Sequence, residues 1–198
     1  MPAEVSTTSL RARQRDALRA EIQHVALRLF AEHGFDAVTT EAIAEESGIS
    51  TSTFFRHVPS KEHLLLGVAQ GEGARIVANF VARPTDEDVA DSLRAAILAR
   101  TSHFAGDSER LELWRRAMVS APVSVRRATL VGREECDELI AAVTERLGGT
   151  SVSAGLHAGV LVRATLAAAE FAYEWWLGNE PRETLHRLTE RALEVVGR

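Results

Sequence analysis

The chain has 198 residues, of which 45% are hydrophobic and 26% are charged, and its formal net charge is −5. This composition is typical of a soluble globular protein with a buried core, and the acidic balance excludes a surface that is basic throughout. Any face that binds nucleic acid must therefore be local. The single cysteine, Cys136, excludes an intramolecular disulfide and fits a reducing cytoplasm.

Residues 1–17 are predicted to form a flexible basic arm, and the first ten of them hold no apolar run of the kind found in signal peptides. Between Arg11 and Arg19 the chain carries four arginines and one acidic residue, Asp16. Such an arm can follow the minor groove or the phosphates of a DNA duplex. It can equally remain disordered without touching DNA, and both alternatives stay open.

Three helices are predicted over residues 18–60. Apolar residues spaced three and four apart from Leu18 to Phe30 indicate the first helix, and the two that follow are short. Local cap and stop signals give their boundaries: Gly34, Thr39 with Thr40, Gly48, Ser50 and Pro59. Three helices with a tight glycine turn between the second and the third indicate a helix-turn-helix module.

Residues 61–198 are predicted to form a bundle of longer helices. One helix spans Lys61 to Val81, and a capping box at Thr85 and Asp88 opens the next. The segment from about Val152 to Leu177 is apolar almost all round, which is typical of a helix buried on two sides. Its His157, Arg163, Glu170 and Glu174 argue against a membrane span.

The last helix is predicted to begin near Pro181. It places Leu185, Leu188, Ala192 and Val195 at alternating spacings of three and four, as in a short coiled-coil seam. The chain shows no strand-type alternation. The predicted fold is therefore all-α, with a three-helix DNA-binding domain followed by a helical bundle.

The segment from Phe35 to Leu66 reads FDAVTTEAIAEESGISTSTFFRHVPSKEHLLL and resembles the DNA-binding domain of the tetracycline-repressor (TetR) family. The matching residues keep a fixed register: Gly34, Phe35, Thr39, Ile43, Ala44, Gly48, Ile49, Ser50, Ser60, Lys61, Glu62 and Leu64. The resemblance implies a one-component transcriptional regulator, usually a repressor, that binds an operator as a homodimer. The C-terminal part matches the family only in its helical pattern.

The candidate DNA-binding residues lie on and around the third helix, whose N-terminal side chains would meet base edges in the major groove. They are Thr40, Ser50, Thr51, Ser52, Thr53, Phe55, Arg56, His57 and Lys61. Thr40, His57 and Lys61 resemble the family's phosphate-contacting positions. Phe55 departs from the usual tyrosine and lacks its phosphate-binding hydroxyl, so it can serve for packing alone. Ser52 and Val58 replace the more common glycine and phenylalanine.

A dimer is expected because one such module touches few phosphates. The family's last two helices form a four-helix bundle with their symmetry mates, and the apolar Val152–Leu177 helix and the seam that follows fit this arrangement. An isologous interface predicts a palindromic operator. The alternative is that these helices fill only the core of one chain.

The middle helices are expected to hold an effector in a mostly apolar pocket with a few polar groups. The candidate lining residues are Phe80, Ile97, Arg100, Phe104, Trp114, Met118, Phe171 and Trp175, with His103, Glu170 and Glu174 as further polar anchors. Each aromatic residue can instead be ordinary core. The helix that starts at Lys61 would change its tilt on effector binding and so move the DNA module.

Two other functional classes fit parts of the sequence. A di-metal enzyme of the helical-bundle type would use two Glu-x-x-His motifs, and the chain has Glu21 with His24 and Glu183 with His186. Glu21 and His24 lie off the apolar face of their helix, which favours solvent exposure. A pure interaction dimer with a degenerate DNA module is supported only by Phe55 and the acidic balance. We therefore predict a cytoplasmic regulator that is not an enzyme and uses no cofactor or metal.

Overall fold

The computed structural model describes residues 7–66, 72–103, 108–126, 131–149, 151–179 and 183–197, and all regular structure there is α-helical. The prediction of an all-α chain is confirmed. The helices are α1 (Thr7–His33), α2 (Thr40–Glu46), α3 (Thr51–His57), α4 (Lys61–Leu66), α5 (Glu72–Val81), α6 (Val89–His103), α7 (Ser108–Ser120), α8 (Val123–Arg126), α9 (Arg133–Arg146), α10 (Val152–Asn179) and α11 (Leu185–Val196).

The chain forms two compact units, and their limits differ from the division predicted at residues 60 and 61. Unit 1 comprises Met1–Val68 and Glu109–Ala128, and unit 2 comprises Ala69–Ser108 and Thr129–Arg198. The chain therefore passes between the units three times. Residues 109–128 join unit 1 because α7 packs there: the indole Nε1 of buried Trp114 donates to the carbonyl of Leu65 at 2.9 Å.

Helix α1 begins at Thr7, so the flexible arm predicted over residues 1–17 is helical from that residue onward. No glycine or proline occurs between Thr7 and His33, and alanine, leucine, arginine and glutamine all favour the helix. The side chains from Arg13 to Ala17 are exposed, and the buried face of α1 begins only at Ile22. The basic segment is therefore a helical extension with little packing of its own.

The predicted caps of α2 and α3 are confirmed. Thr39 Oγ1 accepts from the backbone N–H of Ala42 at 3.1 Å, and Ser50 Oγ accepts from that of Thr53 at 3.2 Å. Each bond satisfies one of the free N–H groups at a helix start. Gly48 lies between the two helices with a φ of 66°, a conformation that glycine adopts without strain.

Unit 2 packs α5, α6, α9, α10 and α11 around one apolar core. Its buried members are Ile76, Phe80, Leu93, Ala96, Ile97, Leu139, Val143, Ala158, Val162 and Leu193. Two helix starts differ from the prediction. Asp88 rather than Thr85 caps α6, because its Oδ1 accepts from Ala90 and Asp91, and Thr184 caps α11, which starts later than Pro181.

The guanidinium of Arg146 joins α9 to the end of α5 and the start of α6. It donates to the carbonyls of Phe80 and Arg83 at 3.1 and 3.0 Å and to Ser92 Oγ at 3.0 Å. Its carbon lies 4.4 Å from the centroid of the Phe80 ring. Hydrogen bonds from Arg83 and Ser92 hold the pKa of neighbouring Glu87 down to about 2. Arg146 thus adds a second hydrogen bond to the Phe80 carbonyl, which also accepts from the Arg83 backbone N–H at 3.2 Å, and it pairs with the Arg83 carbonyl just beyond α5.

We predict that Arg146→Met lowers the free energy of unfolding by about 2 kcal/mol, because it removes three charge-assisted hydrogen bonds that join α9 to the end of α5 and the start of α6. Urea denaturation would measure the loss. Arg163→Met is the matched control, since Arg163 is exposed and its ion pair with Asp137 spans 4.0 Å. Equal stability of the two variants would contradict the assignment.

Candidate nucleic-acid interface

Helix α3 presents most of its side chains to solvent. Phe54 is its only buried residue, with no exposed surface, whereas Ser52, Phe55 and Arg56 are exposed. Thr51, Thr53 and His57 are half-buried. A helix of this size fits the major groove of a DNA duplex, so the outward face is geometrically available to base edges.

The hydroxyl groups at the start of α3 have two different roles. Ser50 Oγ accepts from the Thr53 backbone, donates to Thr53 Oγ1 at 3.0 Å and lies 3.1 Å from Ser52 Oγ. Ser50 and Thr53 are thus engaged in capping, but Ser50 has used its hydroxyl proton, whereas Thr53 keeps its own proton to donate to DNA. On α2, Thr40 Oγ1 donates to Glu41 Oε2 at 3.1 Å, which places it beside a carboxylate.

Lys61 is engaged inside unit 1. Its ammonium donates to the carbonyls of Phe35 and Val38 at 2.9 and 3.1 Å and lies 4.3 Å from the centroid of the Phe35 ring. Two of its three N–H donors are therefore used in holding the loop between α1 and α2. Its predicted phosphate contact stays a prediction, with one donor remaining for it.

Positive charge collects at the C-terminal end of α3. Partial burial, followed by the charges of Arg56, Arg19 and Arg15, lowers the pKa of His57 from its ordinary value of 6.5. The influence of Arg15 and Arg19 on His57 means that the helical extension of α1 brings its arginines near the end of α3. A cluster of this sign beside an exposed helix favours an anionic partner.

The predicted effector-binding residues are divided between the two units. Phe80 and Ile97 are buried in the core of unit 2, with Arg100 buried farther along α6. Trp114 and Met118 are buried in unit 1, because α7 packs there. Phe104 lies outside the described residues, and so does the side chain of His103. The periodic pattern showed apolar residues but not which unit each one joins.

One side of α10 is apolar and exposed. Its exposed apolar residues are Val152, Leu156, Val160, Phe171 and Trp175, and Arg163, Glu170 and Glu174 are exposed as well. Phe171 and Trp175, which the sequence suggested as pocket residues, thus lie on this exposed side, and their part in effector binding stays a prediction. By length and composition alone, α10 is the one described helix that could cross a membrane, and it packs against α9 and α11.

Of the four residues of the seam predicted on α11, Leu185 lies on the buried face and the other three lie beside it. Leu185, Thr189 and Leu193 are the residues that face the core, whereas Leu188 and Ala192 are half-buried and Val195 is exposed. Together with the exposed side of α10, these residues leave apolar surface on the last two helices. The alternative that both helices serve only the core of one chain does not account for this surface.

The two Glu-x-x-His motifs belong to different units. Glu21 and His24 are exposed on α1. Glu183 pairs with Arg191 at 2.7 Å, and His186 Nδ1 lies 2.8 Å from Thr101 Oγ1. Since Thr101 donates its proton to the Leu98 carbonyl at 2.9 Å, it accepts from the imidazole N–H. His186 therefore ties α11 to α6.

Comparison with known proteins gives one consistent result. The family model described as bacterial regulatory proteins, tetR family, matches residues 22–68. The transcriptional regulator MftR of Mycobacterium tuberculosis is 30% identical over 191 residues, covering 93% of this chain and 92% of the relative. The transcriptional repressor AcnR of Corynebacterium glutamicum is 40% identical over 58 residues, or 29% of this chain and 31% of the relative.

The fold has a counterpart among solved structures. The crystal structure of NalD, the secondary repressor of the MexAB-OprM multidrug efflux pump in Pseudomonas aeruginosa, aligns with a TM-score of 0.66 at 18% identity. The alignment covers 92% of this chain and 96% of NalD. The predicted architecture of an N-terminal helix-turn-helix followed by a helical domain is confirmed by this likeness and by the family match.

We predict that Lys61→Met lowers the free energy of unfolding by about 2–3 kcal/mol, because two partly buried carbonyls lose a charged donor. Arg28→Met removes the same charge from an exposed ion pair with Glu46 and should cost much less, because ion pairs between exposed side chains contribute little to stability. Urea titration of both variants measures the difference. A Lys61→Met protein as stable as Arg28→Met would show that the ammonium does not organise the loop.

Proposed function

This chain belongs to the tetR family of bacterial regulatory proteins, and from that membership we propose that it is a repressor released from a palindromic operator by a small, largely apolar effector. The family consists of DNA-binding transcriptional regulators and not of enzymes, so the di-metal alternative is set aside. Repression is proposed because AcnR, which shares 40% identity over 58 residues, is a repressor. A cytoplasmic location, as is typical of the family, is part of the same proposal.

The outward face of α3 carries the proposal for DNA contact. Thr51 and Ser52 would meet base edges through their hydroxyls, and Arg56 would reach a guanine or a phosphate.

His57, Arg15 and Arg19 would approach phosphates beside the groove, since they share the positive cluster at the end of α3. Thr40 and Lys61 are proposed as further phosphate contacts, each with part of its hydrogen-bonding capacity already used.

The exposed apolar side of α10 supports the proposal of a homodimer. A monomer that left Leu156, Val160 and Phe171 in water would forgo burial free energy of about 25 cal/mol for each Å² of apolar surface. A second copy would cover the same side by two-fold symmetry, as in an isologous interface. Two α3 helices related in this way would meet two half-sites of inverted sequence.

The effector is proposed to bind within unit 2, where Phe80, Ile97 and Arg100 remain the candidate contacts. A ligand releases DNA only if it binds the DNA-incompetent state more tightly, and a preference of about 100-fold corresponds to about 2.7 kcal/mol per site. The chain passes between the units three times, so a conformational shift in unit 2 would reach unit 1 through these connections.

We predict that the wild-type protein enriches a palindromic duplex from a randomised pool and binds it as a dimer. Val160→Glu should give a monomer with much weaker binding, because it places two charges in the proposed interface. Val81→Glu is the matched control: Val160 and Val81 expose 60% and 61% of their surface, and Val81 lies on α5. Sedimentation gives the mass, and fluorescence anisotropy gives the affinity.

Three outcomes would contradict the proposal. One is a wild-type protein that enriches no sequence at low salt, as a pure interaction dimer would. Another is a Val160→Glu protein that remains dimeric like Val81→Glu. The third is an affinity that does not fall with salt, since each neutralised phosphate should contribute about −0.9 to the slope of log K against log salt concentration.

A further inference from the structure

Phe55 lies on the exposed face of α3, and its side chain carries no polar atom. It exposes 53% of its surface, and among the described side chains from residue 12 to residue 66 it is the only large hydrophobic one that is exposed. Its exposed neighbours Ser52 and Arg56 both carry hydrogen-bond donors. An apolar ring on this face is therefore suited to an apolar group of the partner, not to a phosphate.

The ring is held outward by the residue before it. Phe55 packs edge-on against Phe54, with 5.5 Å between the ring centroids and an interplanar angle of 89°. Phe54 is fully buried and cannot follow Phe55 into solvent. The contact restricts the movement of the Phe55 ring without covering it, so little side-chain entropy would be lost on binding.

The surroundings of Phe55 indicate what would cover it. The next residue is Arg56, and Arg15 and Arg19 lie near the same end of α3, so the local charge favours a polyanion over an apolar protein surface. In the major groove of DNA the apolar group presented to a side chain is the 5-methyl group of thymine. The phosphates and sugars of DNA present no comparable apolar group.

We propose that Phe55 recognises a thymine in each half-site by packing its ring against the 5-methyl group. The inference rests on the proposed function, since it requires α3 to lie in the major groove. Phe55 would then contribute to sequence specificity. The sequence, in which phenylalanine replaces the usual tyrosine and so lacks its hydroxyl, had suggested a packing role alone.

Uracil substitution tests the contact, because deoxyuridine differs from thymidine only by the 5-methyl group. In the duplex enriched by the wild-type protein, each thymine would be replaced in turn and the affinity measured by fluorescence anisotropy. At one symmetry-related thymine per half-site, we expect a loss of about fourfold per half-site, the value for one apolar carbon removed from contact. Phe55→Ala should bind the thymine and uracil duplexes equally.

Phe55→Leu is the matched variant, since it keeps an apolar side chain and should keep part of the discrimination. All variants should unfold at the wild-type temperature, because Phe55 is exposed. Enrichment of a duplex in which no uracil replacement weakens binding would overturn the inference and leave the proposed function standing. So would a Phe55→Ala protein with undiminished sensitivity to uracil. Failure of the wild-type protein to enrich any duplex would instead remove the proposed function itself.

Discussion

Helix α3 is held to unit 1 through a single buried side chain, and the account of DNA binding depends on this anchor. Seven residues are too few for a stable helix in water, so α3 exists only through its cap and its packing. Ser50 supplies the cap, Phe54 supplies the anchor, and Val58 is buried directly after the helix. Because so little of α3 is needed for packing, the rest of its surface is available to a partner.

The backbone around α3 is likewise supported by a few specific hydrogen bonds from other helices. Lys61 bonds to the loop between α1 and α2 through two carbonyls, and Trp114 of α7 bonds to the carbonyl of Leu65 at the end of α4. Residues far apart in sequence thus fix the backbone on which α3 rests. A change at α7 would therefore reach the DNA-facing helix through the core of unit 1, and no contact with DNA would be needed.

Short-range signals in the sequence predicted the helix-turn-helix well. Caps at Thr39 and Ser50 and the turn at Gly48 depend on neighbours a few residues away, so the residue types alone indicated them. Packing between residues far apart in the sequence could not be predicted from such signals. Nothing in the spacing of Trp114 and Met118 indicates that α7 packs in unit 1 and not with α5 and α6 in unit 2. Likewise, an apolar stripe on α10 cannot reveal which of its sides is exposed.

The candidate site was predictable in part for the same reason. The positions of Ser52, Phe55 and Arg56 on the outward face follow from helical periodicity around Phe54. The engagement of Lys61 with Phe35 and Val38 does not, because it is set by how the loop folds back over α4. Family resemblance suggested a phosphate contact for Lys61, and the structure adds a second role within the fold.

Chemical footprinting of the enriched duplex tests most directly whether paired α3 helices enter the major groove. Methylation of guanine N7 reports on that groove alone. The account predicts two protected patches on one face of the duplex, separated by one helical turn of about 10 base pairs or a whole multiple of it. A single protected patch, or a bound site with no protected guanine N7, would contradict it.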